Sequence, residues 1–146
     1  MRPALVLDAS VAVKWVLPEN GRAEAVQIRQ DFQDERIDVI APYLIVAEVG
    51  NVLWKRKQRG ELPAQAAQVC FQEFLRNCPI LVDSAAVTAA ALALAMAHRR
   101  TIYDCLYLAW SLEQGCDLIT ADERFFHSMR VAFPRIRLLK AFKGTR

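Results

Sequence analysis

Four acidic residues stand where an apolar core has least use for them. Asp8 ends the run Ala4-Leu-Val-Leu7, and Asp122 ends Leu118-Ile-Thr-Ala-Asp. Glu48 lies inside Leu44-Ile-Val-Ala-Glu-Val-Gly-Asn-Val-Leu-Trp54, and Asp104 inside Thr101-Ile-Tyr-Asp-Cys-Leu-Tyr-Leu-Ala109. An unpaired carboxylate in such surroundings costs several kcal/mol. No lysine or arginine within these runs offsets it, so a divalent cation is the economical explanation. Oxygen-only ligands select a hard ion, Mg2+ or Mn2+. Such an ion lowers the pKa of a water and stabilises charge on a phosphate, and two ions would also stabilise the leaving oxygen. Phosphodiester hydrolysis is the reaction this chemistry serves.

Each acid also has an ordinary role open to it. Asp8 can cap a following helix, Asp122 can cap the last helix, and Asp104 can be a first-turn acid favoured by the helix dipole. Glu48 can pair with a distant arginine such as Arg99 or Arg100. Taken together, four such explanations must hold at once, which makes the pattern more informative than any member. Ser10 and Thr120 each sit two residues from an acid, where a hydroxyl can orient a carboxylate or make a local turn bond. Asn51, one turn after Glu48, can reach the same place or simply line the helix surface. The basic residues form clumps: Lys55, Arg56, Lys57 and Arg59; Arg99 and Arg100; Lys140, Lys143 and Arg146. Phosphate contact would use such groups, although the first clump also suits a helix C-terminus. Lys14 and Arg124 lie nearer the acids in sequence.

The elements that must position these side chains alternate between short apolar runs and helical patterns. That order predicts an α/β protein: one domain over residues 1–146, with a central, mostly parallel sheet of about five strands flanked by helices. Strands are expected at 4–7, 38–41, 80–82, 118–120 and 136–138. The first does not alternate and should be buried on both faces. Helices are expected at about 10–17 with Ser10 as cap, at 22–34, and from Pro42 to Arg59 with Gly60 closing. Others should start at Pro63, at Ser84 and at Thr101, the last ending at Gly115, with a final helix over 121–131. Ligands of parallel sheets gather at the carboxyl ends of strands, where Asp8 and Asp122 fall. Glu48 shares a helix face with Leu44, Ile45 and Val52 and should point inward.

A chain of 146 residues with 54% apolar residues can bury a real core, and 24% charged residues is ordinary for a globular protein. The net charge of +3 permits a polyanionic partner without demanding one. The longest uncharged apolar stretch, residues 84–97, is short of the roughly 20 residues a membrane span requires. Asp8 interrupts the first apolar run before a secretory h-region can form, so a cytoplasmic protein without membrane contact is expected. The cysteines, Cys70, Cys78, Cys105 and Cys116, include no C-x-x-C pair and lie far from His98 and His127. They read as small hydrophobes rather than a zinc site. The apolar face formed by Ala67, Cys70, Phe71 and Phe74 fits either core packing or an interface.

Four segments in order carry a family resemblance: Val6-Leu-Asp-Ala-Ser10, Ala47-Glu-Val-Gly-Asn-Val-Leu53, Tyr103-Asp-Cys-Leu-Tyr-Leu-Ala109 and Leu118-Ile-Thr-Ala-Asp-Glu-Arg-Phe125. Across nearly the whole chain they resemble the PIN domain family, and more narrowly the VapC-like toxins of bacterial toxin–antitoxin pairs. The resemblance implies a Mg2+- or Mn2+-dependent endoribonuclease acting on single-stranded or structured RNA. Asp8, Glu48, Asp104 and Asp122 occupy the family's acidic positions, and Thr120 its frequent hydroxyl near the last acid. Asp8 and Asp122 would bind the metal most directly, with Asp104 beside them and Glu48 acting through water or on the nucleophile. Glu123 stands where some relatives carry a further acid. A homodimer and a small VapB-like antitoxin, whose tail covers the acidic groove, are implied as partners. The alternative is a non-catalytic module whose acidic pocket seats a basic partner peptide; a phosphatase or DNA-directed nuclease would use similar metal chemistry.

Overall fold

The structure is a computed structural model that describes residues 1–144. Its centre is β1 (Ala4–Leu7), where Val6 and Leu7 are fully buried, as the absence of alternation in the run requires. On one side β1 pairs in parallel with β2 (Asp38–Pro42), which pairs with β3 (Ile80–Val82). On the other it pairs with β4 (Asp117–Thr120), which pairs with β5 (Ile136–Leu138). The order β3-β2-β1-β4-β5 makes a five-stranded, wholly parallel sheet among the described residues, so the α/β expectation holds. Strand order reverses between β1 and β4, and that is where an open parallel sheet offers a crevice for ligands.

The helices cover both faces. After β1 come the short α1 (Ala9–Ala12) and a 3-10 turn over Val13–Trp15, then α2 (Arg22–Gln33). Next are α3 (Leu44–Gln58) and α4 (Ala64–Arg76), then α5 (Ala85–His98) and α6 (Ile102–Gln114), and finally α7 (Glu123–Met129). Val87, Ala91 and Ala95 of α5 pack on Cys105, Leu106 and Ala109 of α6, the small residues bringing the two helices together. Trp15 and Phe74 are fully buried in the main core, their rings 6.4 Å apart. Phe71 stacks on Phe74 at 6.3 Å, and Ala67 and Cys70 pack against the same core. Core packing thus accounts for the apolar face of α4.

Several boundaries differ from expectation for local reasons. Pro42 does not open α3; it ends β2 opposite Val82, a position where its missing N–H is tolerated, and Tyr43 supplies the next donor to Val82 O at 3.2 Å. Ser10 does not cap the first helix; Asp8 does, accepting from the Ser10 N–H at 3.1 Å. Ser84 precedes α5 but makes no side-chain cap; Asp83 Oδ1 takes the Ala85 N–H at 2.9 Å instead. Thr101 does cap α6, and Gly115 ends it with φ of 64°, the left-handed value that favours glycine. The last helix is shorter than its apolar pattern, since Asp122 rather than Ala121 starts it.

All four cysteines are free thiols; Cys105 and Cys116 are buried, Cys70 and Cys78 half-buried. Among the described residues no helix is long and apolar enough to cross a membrane. Replacing Phe74 by Ala should cost about 3–5 kcal/mol, because Trp15 and Phe71 cannot both collapse into the space. Urea unfolding of the variant measures this; a loss under about 1 kcal/mol would mean that α4 contributes little to the core.

Candidate active site

Asp8 follows β1, and its backbone N–H reaches Ile119 O of β4 at 3.4 Å, which extends the β1–β4 ladder by one residue. Two hydroxyls then lock its carboxylate. Thr120 Oγ1, fully buried, donates to Oδ2 at 2.6 Å. Ser10 Oγ donates to Oδ1 in a short contact, while its own oxygen accepts the Ala121 N–H at 2.9 Å. Thr120 Oγ1 in turn accepts the Asp122 N–H at 3.1 Å. Asp122 caps α7 by accepting the Phe125 N–H at 3.0 Å. The ends of β1 and β4 are thereby stitched together by side chains, and the two acids that follow them share one network.

The other two acids arrive from helices. Glu48 sits mid-way along α3, half-buried, and Tyr107 of α6 donates to its Oε1 at 2.8 Å. Asp104 lies in the first turn of α6, its N–H received by Thr101 Oγ1 at 3.3 Å. Its Oδ2 accepts from Arg100 Nη2 at 3.2 Å. The Arg100 guanidinium also lies over the Phe125 ring, 5.2 Å from its centroid.

These elements are shared with known proteins. The sequence pattern of the PIN domain family matches residues 5–130, a span that takes in all four acids. The chain belongs to the PIN domain family. Ribonuclease VapC3 of Pyrobaculum aerophilum is 34% identical over 122 residues, covering 82% of this chain and 90% of that protein. The crystal structure of PAE2754 from Pyrobaculum aerophilum has a TM-score of 0.71 at 21% identity, covering 96% of this chain and 93% of that one. VapBC2 from Rickettsia felis, bound to a DNA fragment from their promoter, gives 0.62 at 13% identity, with 98% and 99% covered. A toxin–antitoxin complex from Klebsiella pneumoniae gives 0.58 at 14%, with 92% and 97% covered. At these identities the solved structures establish a common fold, and the resemblance read from the four segments is borne out.

Within this PIN domain burial, and then the neighbouring acids, raise the proton affinity of Asp8, Glu48 and Asp104. Burial pushes the Asp8 carboxyl from 3.8 up to about 6 against the opposing bonds of Ser10 and Thr120, and the Asp104 charge adds to the rise. Glu48 is raised first by burial, against the Tyr107 bond, and then by the charges of Asp8 and Asp104. Asp104 is raised by burial and by Asp122, although Arg100 pulls it down. Tyr107 is pushed up by burial and by the Glu48 charge, so its phenol stays protonated and remains a donor to Glu48. Asp8, Glu48 and Asp104 thus lie within electrostatic reach of one another, and Asp122 within reach of Asp104. Among the described residues, however, no three Asp, Glu, His or Cys side chains stand close enough to hold one ion together. The donor set, four carboxylates with two neighbouring hydroxyls and surplus negative charge, fits a hard divalent cation in chemistry. In this structure each acid is engaged by its own partner: Asp8 by Ser10 and Thr120, Asp122 by the Phe125 N–H, Asp104 by Arg100 and Glu48 by Tyr107.

The remaining candidates divide plainly. Asn51 is exposed. Glu123 points outward and pairs with Lys140 at 2.9 Å. Lys14 is tied to Glu19 at 3.1 Å, and Arg56 pairs with both Glu19 and Glu61. Arg124, Lys55, Lys57 and Arg59 are exposed; Arg146 lies outside the described residues. Glu48 does not pair with Arg99 or Arg100, because Arg100 is taken by Asp104 four residues on. Sequence reasoning missed Tyr107 and gave Arg100 the wrong acid as partner. Tyr107 follows Asp104 by three positions on the same helix face, and that spacing was the available signal. Arg100 precedes Asp104 by four, a spacing that pairs opposite charges on a helix.

A raised carboxyl pKa makes folding favour the protonated form. Asp8 thus contributes stability below its ordinary 3.8 that is lost as pH rises through about 6, a swing of about 3 kcal/mol. In chelator, urea midpoints should fall between about pH 4 and pH 6, and Asp8→Asn should remove most of that fall and stabilise the protein at pH 7. Parallel midpoint–pH curves for the two proteins would show that Asp8 is solvated in the fold.

Proposed function

We propose that the chain is a metal-dependent endoribonuclease that hydrolyses RNA phosphodiester bonds as the toxin of a toxin–antitoxin pair. The observation that carries this reading is the network at the β1–β4 junction, where the half-buried Asp8 is held by Ser10 and Thr120 and coupled electrostatically to Glu48 and Asp104. The name of the 34% identical relative, a ribonuclease, supports the reaction. The toxin–antitoxin titles of its structural neighbours support the biological setting, with a VapB-like antitoxin as partner; action in the cytoplasm is part of the same proposal.

Asp8, Asp104 and Asp122 are assigned as ligands of Mg2+ or Mn2+, with Glu48 as ligand through water or as the group that orients the nucleophile. When bound, such an ion lowers the pKa of a water and neutralises charge on the scissile phosphate. Asp8 presents its carboxylate to the cleft in an orientation set by Ser10 and Thr120. Thr120 is therefore a positioning residue, since its hydroxyl is spent on Asp8 and on the Asp122 N–H. Tyr107 does the same for Glu48, fixing one oxygen and leaving the other free. We further assign a homodimer and a substrate of single-stranded or structured RNA, in keeping with the family.

A second reading has one specific observation in its favour. Arg100 already sits against Asp104, so this acidic pocket accepts a guanidinium. A non-catalytic module that receives a basic partner peptide would use the same property. The two readings part on metal and on turnover. Asp8→Asn should lower Mg2+- or Mn2+-dependent RNA cleavage on the order of a thousandfold, with the circular dichroism spectrum unchanged. Chelator should do the same to the parent protein. Full metal-dependent cleavage by the folded variant would remove Asp8 from the mechanism, and equal cleavage of RNA, DNA and small phosphoesters would remove the ribonuclease assignment.

A further inference from the structure

The cleft already contains a cation, and the chain supplies it. Arg100 lies in the short connection between α5 and α6, after Arg99, whose φ of 54° is in the left-handed region that favours glycine. The Arg99 and Arg100 N–H groups both turn back to Ala95 O, the latter at 3.1 Å, so the strained residue closes α5 and sends the next side chain into the site. There Arg100 Nη2 meets Asp104 Oδ2 at 3.2 Å, with the guanidinium over Phe125. Phe125 is buried, belongs to α7, and gives its N–H to Asp122. Arg100 thus pairs with one assigned ligand, Asp104, and packs on the residue whose N–H holds another, Asp122.

Its seat is imperfect. Arg100 Nε is buried and has no hydrogen-bond partner among the described residues. A guanidinium that leaves a buried donor unpaired is held chiefly by the opposite charge in front of it. Asp104 is that charge, and Asp104 is also one of the acids that must converge to hold an ion. As the chain stands, no three of the acids are close enough to do so.

We propose that Arg100 is a tethered counter-cation that competes with the divalent ion for Asp104 and so sets the metal affinity of the site. The inference rests on the metal-site reading above. While Arg100 is bound, Asp104 is partly neutralised and drawn toward the α5–α6 connection. Two cations that bind one carboxylate less well together than apart are coupled negatively, and the coupling is reciprocal. Loading the ion weakens the hold on Arg100; removing Arg100 strengthens the hold on the ion. Arg100 touches no reacting atom in this role and acts through Asp104.

Isothermal titration with Mn2+ alone, on the full chain, tests it. Arg100→Leu and Arg100→Gln should each bind Mn2+ roughly three- to tenfold tighter than the parent. Arg100→Lys, which keeps the charge, should stay within about twofold of it. Two neutral variants are used so that a folding defect in one, read from its thermal melt, leaves the other to decide. Equal affinity in the neutral variants would make Arg100 a structural ion pair only. Weaker affinity would mean that it holds Asp104 ready for the ion, and either result overturns the proposal. Asp8→Asn separates the two layers. Parent binding that Asp8→Asn abolishes supports the metal site whatever Arg100 does, whereas no Mn2+ binding by the parent or the neutral variants overturns both.

Discussion

The junction of β1 and β4 is the constraint on which the rest depends. Two parallel strands separated by 109 residues of chain run side by side, and the first residue past β1 still bonds to β4 through Asp8 N–H and Ile119 O. Backbone pairing alone would bring the strand ends together without fixing any side chain. The hydroxyls of Ser10 and Thr120 do that second task. Each donates to a different oxygen of Asp8 and accepts a backbone N–H from the chain leaving β4. Asp8 thereby has both oxygens engaged yet keeps a raised proton affinity, because two neutral hydroxyls do not replace the water it lost. A structure that needed only stability would put an apolar side chain here.

Ordinary and functional roles coincide at these acids. Asp8 caps α1, Asp122 caps α7, and Asp104 sits in the first turn of α6. Each was open to a purely local explanation, and each local explanation is true. Capping also does what a metal ligand needs: it fixes the residue's backbone at a helix start, aims the side chain along the end of the helix, and tolerates negative charge near the N-terminal dipole.

Much of the fold was legible because its signals are local. The uniform apolar runs marked β1 and β4, and the bounds of β3 and β5 matched their short runs. Gly115 and Thr101 marked their helix ends through chemistry that needs no partner. The misread boundaries at Pro42, Ser10 and Ser84 share a cause: a nearby competitor won, whether a strand partner at Val82 or an aspartate one or two residues earlier. The site was legible as four misplaced charges. What the sequence could not carry was which neighbour each charge finds. Glu48 and Tyr107 are 59 positions apart, and their contact follows only from how α3 and α6 pack. Arg100 lay within reach of a spacing rule, but the left-handed turn at Arg99 that directs it inward is set by the α5–α6 connection as a whole.

The distribution of charge argues for how an RNA would be held. The net charge of +3 looks like an invitation to a polyanion, yet much of the positive charge is already engaged. Glu19 takes Lys14 and Arg56, Glu123 takes Lys140, and Asp117 takes Arg135 and Arg137. Pairs of this kind cancel at distances beyond a Debye length, so they contribute little long-range attraction at physiological salt. What remains near the cleft is negative, and a phosphate approaching it meets repulsion. Under the metal-site proposal, binding and chemistry would be coupled through the same term, because a bound cation would reverse the local sign. Under the same proposal, a phosphate that reaches the acids would be held where a bound ion holds it, without a strongly basic groove.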